Sequence, residues 1–248
     1  MSSRLSGRVA VITGGARGIG ATIAKRFRNE GAATLVFDQG LEDGGHEDDR
    51  AISLRGDVTN EKDITHLVNV AKDRFGKIDI VVNNAAVLQH LTTKSFREVD
   101  LDDWDNILRV NLRGAFQVTR EVVPLMEVAE YGRIINIGSS TAFMGAPIAP
   151  YAASKAGLIA LTQSLARELG ASGITANAIA LGLIEGPSLE EQPSQAIAGA
   201  RATLMAMKAI KRNQGPESVA DAAVFLASDE SEFITGQTLM LDGGAVMR

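Results

Sequence analysis

The run Val9-Ala10-Val11-Ile12-Thr13 leads directly into Gly14-Gly15-Ala16-Arg17-Gly18-Ile19-Gly20, and a helical pattern opens at Ile19. A short apolar, β-branched run of this kind predicts a buried strand. The glycines after it permit a tight turn and let backbone N–H groups approach phosphate oxygens at a helix N-terminus. Strand, glycine turn and helix in that order predict a cradle for a dinucleotide pyrophosphate; the glycines alone would be weak evidence. Eighteen residues beyond Gly20, at the end of the second apolar run, stands Asp38. A carboxylate there accepts the hydroxyls of an adenosine ribose and repels a 2′-phosphate, which favours NAD over NADP. Arg17 inside the turn pulls toward NADP, but Gln39 after Asp38 adds no second cation.

Working outward, further short apolar runs occur at Thr34 to Phe37, Ala51 to Leu54, Ile78 to Val82, Arg133 to Ile137, Thr175 to Ile179 and Thr238 to Leu241. Between them lie helical patterns at Ile19 to Asn29, Glu61 to Arg74, Asp103 to Val128, Tyr151 to Leu169, Ser188 to Met207 and Glu217 to Ser228. Alternation of strand and helix predicts an α/β fold, a single Rossmann-type domain over residues 1–248. Its doubly wound, seven-stranded parallel sheet would carry helices on both faces. Asp102 is a plausible cap for the third helix, and Pro216 suits the first turn of the last. Gln39 to Arg50, with Gly40, Gly44 and Gly45 among acidic residues, reads as a solvated loop.

Composition narrows the chemistry. The 248 residues carry 25 basic and 30 acidic side chains, a net charge of −5, and no cysteine. A disulfide scaffold and a cysteine-ligated zinc or iron–sulfur site are thereby excluded. His46, His66 and His90 are the only imidazoles and are scattered, so no metal site is expected. The mildly acidic balance argues against nucleic acid. No long apolar stretch predicts a membrane span, and Met1 to Arg8 lacks the apolar run of a secretory signal, so cytoplasmic residence is expected.

Tyr151-Ala152-Ala153-Ser154-Lys155 opens a helical run, and residues four apart share a helix face. A lysine cation beside a phenol, reinforced by the charge of an oxidised nicotinamide, favours the phenolate and makes tyrosine a usable proton acceptor. Asn136-Ile137-Gly138-Ser139-Ser140 closes the fifth strand, Asn83-Asn84-Ala85-Ala86 the fourth, and Asn111 lies in the helix between. All fall at or near the carboxyl edge of the sheet, where open α/β folds bind ligands. A serine hydroxyl there can hold a substrate oxygen against the phenol. Asn111 can equally be an amide satisfied by backbone.

These motifs, in this order and nearly end to end, make the sequence resemble the short-chain dehydrogenase/reductase family. Asp57-Val58, Ile174 to Ile179, Phe225 to Asp229 and Ile234 to Gly244 extend the match. The resemblance implies Tyr151 as general acid/base, Ser139 orienting the reacting oxygen, and Lys155 binding the nicotinamide ribose. Asn111 would position a water in the proton relay. Gly14, Arg17, Gly18, Ile19, Gly20 and Asp38 would hold the dinucleotide, with Asp57 and Val58 at the adenine and Asn84, Ala85 and Ala86 at the adenosine ribose and bridge. The family's serine stands three places after Asn136, which selects Ser139 over Ser140. A homotetramer is the family expectation.

Several positions depart from the pattern. Ala86 replaces a glycine, Leu181 replaces a proline, and Gly186 stands where a threonine often holds the nicotinamide amide. Backbone around Leu183 and Ile184, or the Ser188 hydroxyl, would take over that contact. The spacing from Ser139 to Tyr151 is twelve, one short of the usual arrangement, which places a deletion within Ala146 to Pro150. Residues 184–210 form the variable substrate-covering segment, rich in Leu, Ile, Met and Ala. With His90, Phe143, Met144 and Ile148 it predicts a pocket for a small, partly apolar alcohol or carbonyl compound. Leu101 to Trp104, Gly182 to Glu185 and Ala206 to Lys208 resemble bacterial NAD-dependent enzymes of cyclic and aromatic alcohols, such as pyridoxal 4-dehydrogenase. The alternatives are a 3-oxoacyl carrier-protein reductase using NADPH and, in another class, a non-catalytic NAD-binding regulator. Asp38 counts against the first, and the joint presence of Asn111, Ser139, Tyr151 and Lys155 against the second.

Overall fold

The computed structural model describes residues 3–42, 49–87, 95–191 and 194–247. Seven strands form one parallel sheet: β1 (Val9–Thr13), β2 (Ala33–Asp38), β3 (Ala51–Arg55), β4 (Ile80–Asn83), β5 (Gly132–Ser139), β6 (Ile174–Leu181) and β7 (Thr238–Leu241), in the order β3-β2-β1-β4-β5-β6-β7. The order reverses between β1 and β4, which opens a crevice beyond their carboxyl ends. Each strand lies within two residues of its expected bounds at either end, and β1 and β7 coincide with theirs.

Alternate residues along the strands feed two cores. Ala10, Ile12, Ile80, Val82, Ile135 and Ile137 pack with Ile23 and Phe27 of α1 (Gly18–Asn29) and Val219, Ala223 and Val224 of α9 (Pro216–Ala227). Val11, Val81 and Ile134 face the other way, against Ile64 and Leu67 of α2 (Glu61–Phe75), Val118, Val122 and Met126 of α4 (Ala115–Val128), and Ala166 and Leu169 of α6 (Ala149–Leu169). Burial on both faces is why these strands read as unbroken apolar runs.

The helices depart from expectation in three places. The expected helix over Asp103 to Val128 is three pieces: α3 (Leu101–Leu108), a π-helical turn at Arg109–Gly114, and α4. The cap of α3 is Asp100, whose carboxylate accepts from Asp102 N–H at 2.8 Å, so Asp102 is inside the helix rather than its cap. The covering segment is also divided, into α7 (Pro187–Glu190) and α8 (Ser194–Met207), with α5 (Thr141–Met144) completing the set. Pro216 does open α9.

Candidate active site

The glycine turn forms where β1 meets the crevice. Gly14 has φ +64, and a Cβ there would stand 2.7 Å from Ala85 Cα. On Gly20 a Cβ would meet the Gly14 carbonyl at 2.3 Å. Both positions therefore require glycine, which is the cradle a close phosphate approach needs. Asn84 fastens the turn across the crevice: its Nδ2 donates to Thr13 O at 3.0 Å and Gly14 O at 2.7 Å. In return, Thr13 Oγ1 accepts from Asn84 N and Ala85 N, each at 3.1 Å. Arg17 stands at the N-cap of α1 and makes no side-chain cap hydrogen bond there.

At the end of β2, Asp38 accepts from Ala16 N at 3.0 Å and Gly40 N at 2.8 Å, which fixes the carboxylate beside the turn. The Arg17 guanidinium pairs with both oxygens of Glu191 from the covering segment. That hydrogen bond raises its already high pKa; burial opposes it, and the charges of Glu191 and Asp38 add to the rise. Asp57 accepts from Thr59 N at 2.7 Å, and Arg109 bridges Thr59 Oγ1 and Asn106 Oδ1 beside it.

Tyr151 and Lys155 converge from the first turns of α6. Lys155 is buried, donates to Ile137 O at 2.7 Å, and holds Nζ 5.6 Å from the centre of the Tyr151 ring. Burial pulls its ammonium down to about 8. Burial also pushes the Tyr151 phenol up to about 12, opposed by a hydrogen bond with Ser139. The protein's own groups thus leave the phenol protonated near neutrality. Ser139 is thus the serine bonded to the phenol; the neighbouring Ser140 is buried, and its backbone N–H donates to Leu181 O at 2.8 Å. Ser139 Oγ accepts from Thr141 Oγ1 at 2.9 Å and Thr141 N at 3.3 Å.

Asn111 sits in the π-helical turn and is buried. It accepts from Val87 N at 2.7 Å and donates to Val87 O at 3.2 Å and to Ser154 Oγ at 3.1 Å. Its side chain is thus satisfied mostly by backbone. It fastens the segment after β4 to α6, and Ser154 in turn donates to the Tyr151 carbonyl at 2.8 Å. Helical turns of this wider kind recur at functional sites.

One cavity of about 840 Å³ joins these groups, lined by Gly14, Arg17, Ile19, Asp38, Asp57, Val58, Asn84, Ala85, Ala86, Ser139, Tyr151, Lys155, Leu183 and Ile184. Gly18 and Gly20 shape the turn, and Asn111 lies behind the wall. Met144 lines the cavity with Ile148, but Phe143, its neighbour on α5, does not. His90 lies outside the described residues, as do His46 and residues 43–48 of the acidic loop, and nothing is described of the Ser188 side chain. Glu191, Thr141, Asn106 and Arg109 also line the cavity and carried no recognisable local motif. Among the described residues no group of three or more histidines and carboxylates is placed to hold a metal, and no helix is long and apolar enough to cross a membrane.

A nicotinamide dinucleotide fits this donor set: the glycine cradle would take the pyrophosphate, Asp38 a ribose, and Tyr151 with Lys155 the reactive end. The fold and this site define an oxidoreductase of the doubly wound dinucleotide-binding class. The chain belongs to the short-chain dehydrogenase/reductase family, and a family model described as enoyl-(acyl carrier protein) reductase matches residues 14–246. It is 38% identical over 252 residues to a 3-oxoacyl-[acyl-carrier-protein] reductase of Thermotoga maritima, covering 98% of this chain and 100% of the relative. It is 36% identical over 254 residues to cis-4-hydroxycyclohexanecarboxylate dehydrogenase of Sinomonas cyclohexanicum, covering 98% of each. A crystal structure of a candidate gluconate dehydrogenase from Agrobacterium tumefaciens superposes with a TM-score of 0.87 at 31% identity over the full length of both chains.

Proposed function

We propose that the chain is an NAD-dependent dehydrogenase interconverting a small, partly apolar alcohol, of cyclic or aromatic kind, with its carbonyl counterpart. The observation that carries this reading is that Asp38 and the hydrogen-bonded Tyr151–Ser139 pair wall the same cavity. A bound nicotinamide would supply the hydride acceptor for the carbinol carbon in oxidation and the hydride donor in reduction. Tyr151 takes the hydroxyl proton during oxidation and gives it back during reduction. Ser139, oriented by Thr141, donates to the substrate oxygen and keeps it against the phenol. The Lys155 ammonium favours the phenolate and binds the nicotinamide ribose, while Asn111 sets the backbone behind the relay. Gly14, Ile19, Asp57, Val58, Asn84, Ala85 and Ala86 would line the dinucleotide's path, and backbone at Leu183 and Ile184 would hold the carboxamide.

The substrate class follows from the walls. Met144, Ile148, Leu183, Leu189 and Leu204 are apolar. The lining cations are accounted for: Arg17 pairs with Glu191, Arg109 bonds Thr59 and Asn106, and Lys155 serves the tyrosine. Among the described lining residues none is left to receive an acidic carrier. A small neutral alcohol suits such a surface. Exposed Phe116 on α4 and Leu239 on β7 fit a homotetramer, and the reading places the enzyme in the cytoplasm.

The second reading, an NADPH-dependent 3-oxoacyl carrier-protein reductase, draws on the Thermotoga maritima relative and on Arg17 in the turn. A screen of cyclic and aromatic alcohols and polyols with NAD, beside 3-oxoacyl thioesters with NADPH, separates the two. Turnover of a neutral alcohol with NAD is expected. Turnover confined to thioesters with NADPH would overturn the proposal.

A further inference from the structure

Arg17 and Glu191 lie 174 residues apart in sequence, yet both line the cavity beside Asp38. Glu191 follows α7, where its N–H bonds back to Pro187 O at 3.2 Å, so the covering segment itself delivers this carboxylate to the glycine turn. The contact is two-pronged: Arg17 Nη1 and Nη2 each donate to a separate oxygen of Glu191, the second at 3.0 Å. A guanidinium so engaged has its fork filled. A phosphate taken in that fork must displace the carboxylate, and one bound by the remaining N–H groups faces the carboxylate with like charge.

We propose that Glu191 is a cofactor-specificity residue: by occupying the Arg17 fork it withdraws the cation of the glycine turn from a 2′-phosphate, so that the covering segment acts with Asp38 in selecting NAD over NADP. This rests on the NAD reading above. The two carboxylates act differently. Asp38, pinned by Ala16 N and Gly40 N, would accept the ribose hydroxyls and repel a phosphate directly. Glu191 reaches the phosphate only through Arg17, and its side chain is about half exposed, so water and salt limit its share. Its effect is therefore smaller than that of Asp38, and it emerges clearly once Asp38 no longer dominates.

The experiment is a fluorescence titration of the full chain with NADH and NADPH, in the wild type, Glu191→Gln, Asp38→Ser, the Asp38→Ser/Glu191→Gln pair, and the same pair with Arg17→Gln added. The wild type is expected to prefer NADH. Glu191→Gln is expected to tighten NADPH about three- to tenfold in the Asp38→Ser background, with NADH affinity moving by less than about twofold. Adding Arg17→Gln should abolish that gain, because the effect runs through the guanidinium. NADH binding in each variant reports that the site has folded. A wild-type preference for NADH with no Glu191→Gln shift, or a shift that survives Arg17→Gln, overturns the Glu191 inference alone. A wild-type preference for NADPH overturns the NAD reading and, with it, the selecting role.

Discussion

Lys155→Met removes a buried ammonium while keeping a flexible chain of similar volume, and it is expected to stabilise the fold while disabling the enzyme. Burial lowers the Lys155 ammonium from 10.5 to about 8. At pH 7 that difference corresponds to roughly 3 kcal/mol held against the folded state, at about 1.4 kcal/mol per tenfold change in proton affinity. The variant forfeits the hydrogen bond to Ile137 O, worth about 1 kcal/mol, so the net gain is about 2 kcal/mol. For a chain of this size that is a rise in Tm of about 4–8 °C. Between about pH 8 and 10.5 the unfolded chain binds the lysine proton more than the native one does, so wild-type stability rises with pH across that window. The advantage of the variant should therefore be full below pH 8, shrink between 8 and 10.5, and reverse above that to a deficit of about 1 kcal/mol, the hydrogen bond that the variant lacks. Thermal melts of both proteins across that range test this, alongside alcohol oxidation, which the variant should lose. A variant that is less stable than wild type at pH 7, or a difference that does not change with pH, would refute the reasoning.

Other expectations follow from the same geometry. Alcohol oxidation needs the phenolate of a group that burial holds near 12, so its initial rate should climb with pH between about 6 and 10, while reduction, which uses the phenol, should not climb; a flat oxidation profile would contradict this. Thr141→Val deletes the donor that orients Ser139 and should lower kcat about fivefold with little change in KM, whereas Thr141→Ser should restore it. Gly20→Ala drives a Cβ into the Gly14 carbonyl and should cost about 2 kcal/mol or more in a denaturant melt, together with NADH binding; unchanged NADH affinity would show that the turn is not the cradle.

The sheet was legible because its strands are buried on both faces, so each appears as a compact apolar run between amphipathic helices. The glycine turn was legible because two of its positions admit no side chain. Tyr151 and Lys155 were legible as a pair because helix periodicity alone brings them together. What escaped the sequence has equally physical causes. A π-helical turn adds less than one residue per turn, and apolar periodicity across Leu108 and Ala115 cannot register it. Asp100, Asp102 and Asp103 are chemically equivalent caps, and only the backbone decides among them. Phe143 and Met144 are neighbours on a four-residue helix too short to define a face. The pairing of Arg17 with Glu191 joins distant segments with no local pattern, and so does the Lys155 contact with Ile137.

The central claim is that a phenol in this cavity moves the substrate proton. Tyr151→Phe keeps the ring and its packing and removes only the hydroxyl. With an alcohol that the wild type oxidises, initial rates and NADH binding are to be measured on both proteins. The account predicts a fall in rate of at least about 100-fold with NADH affinity retained. A Tyr151→Phe enzyme that oxidises the alcohol at the wild-type rate would contradict it.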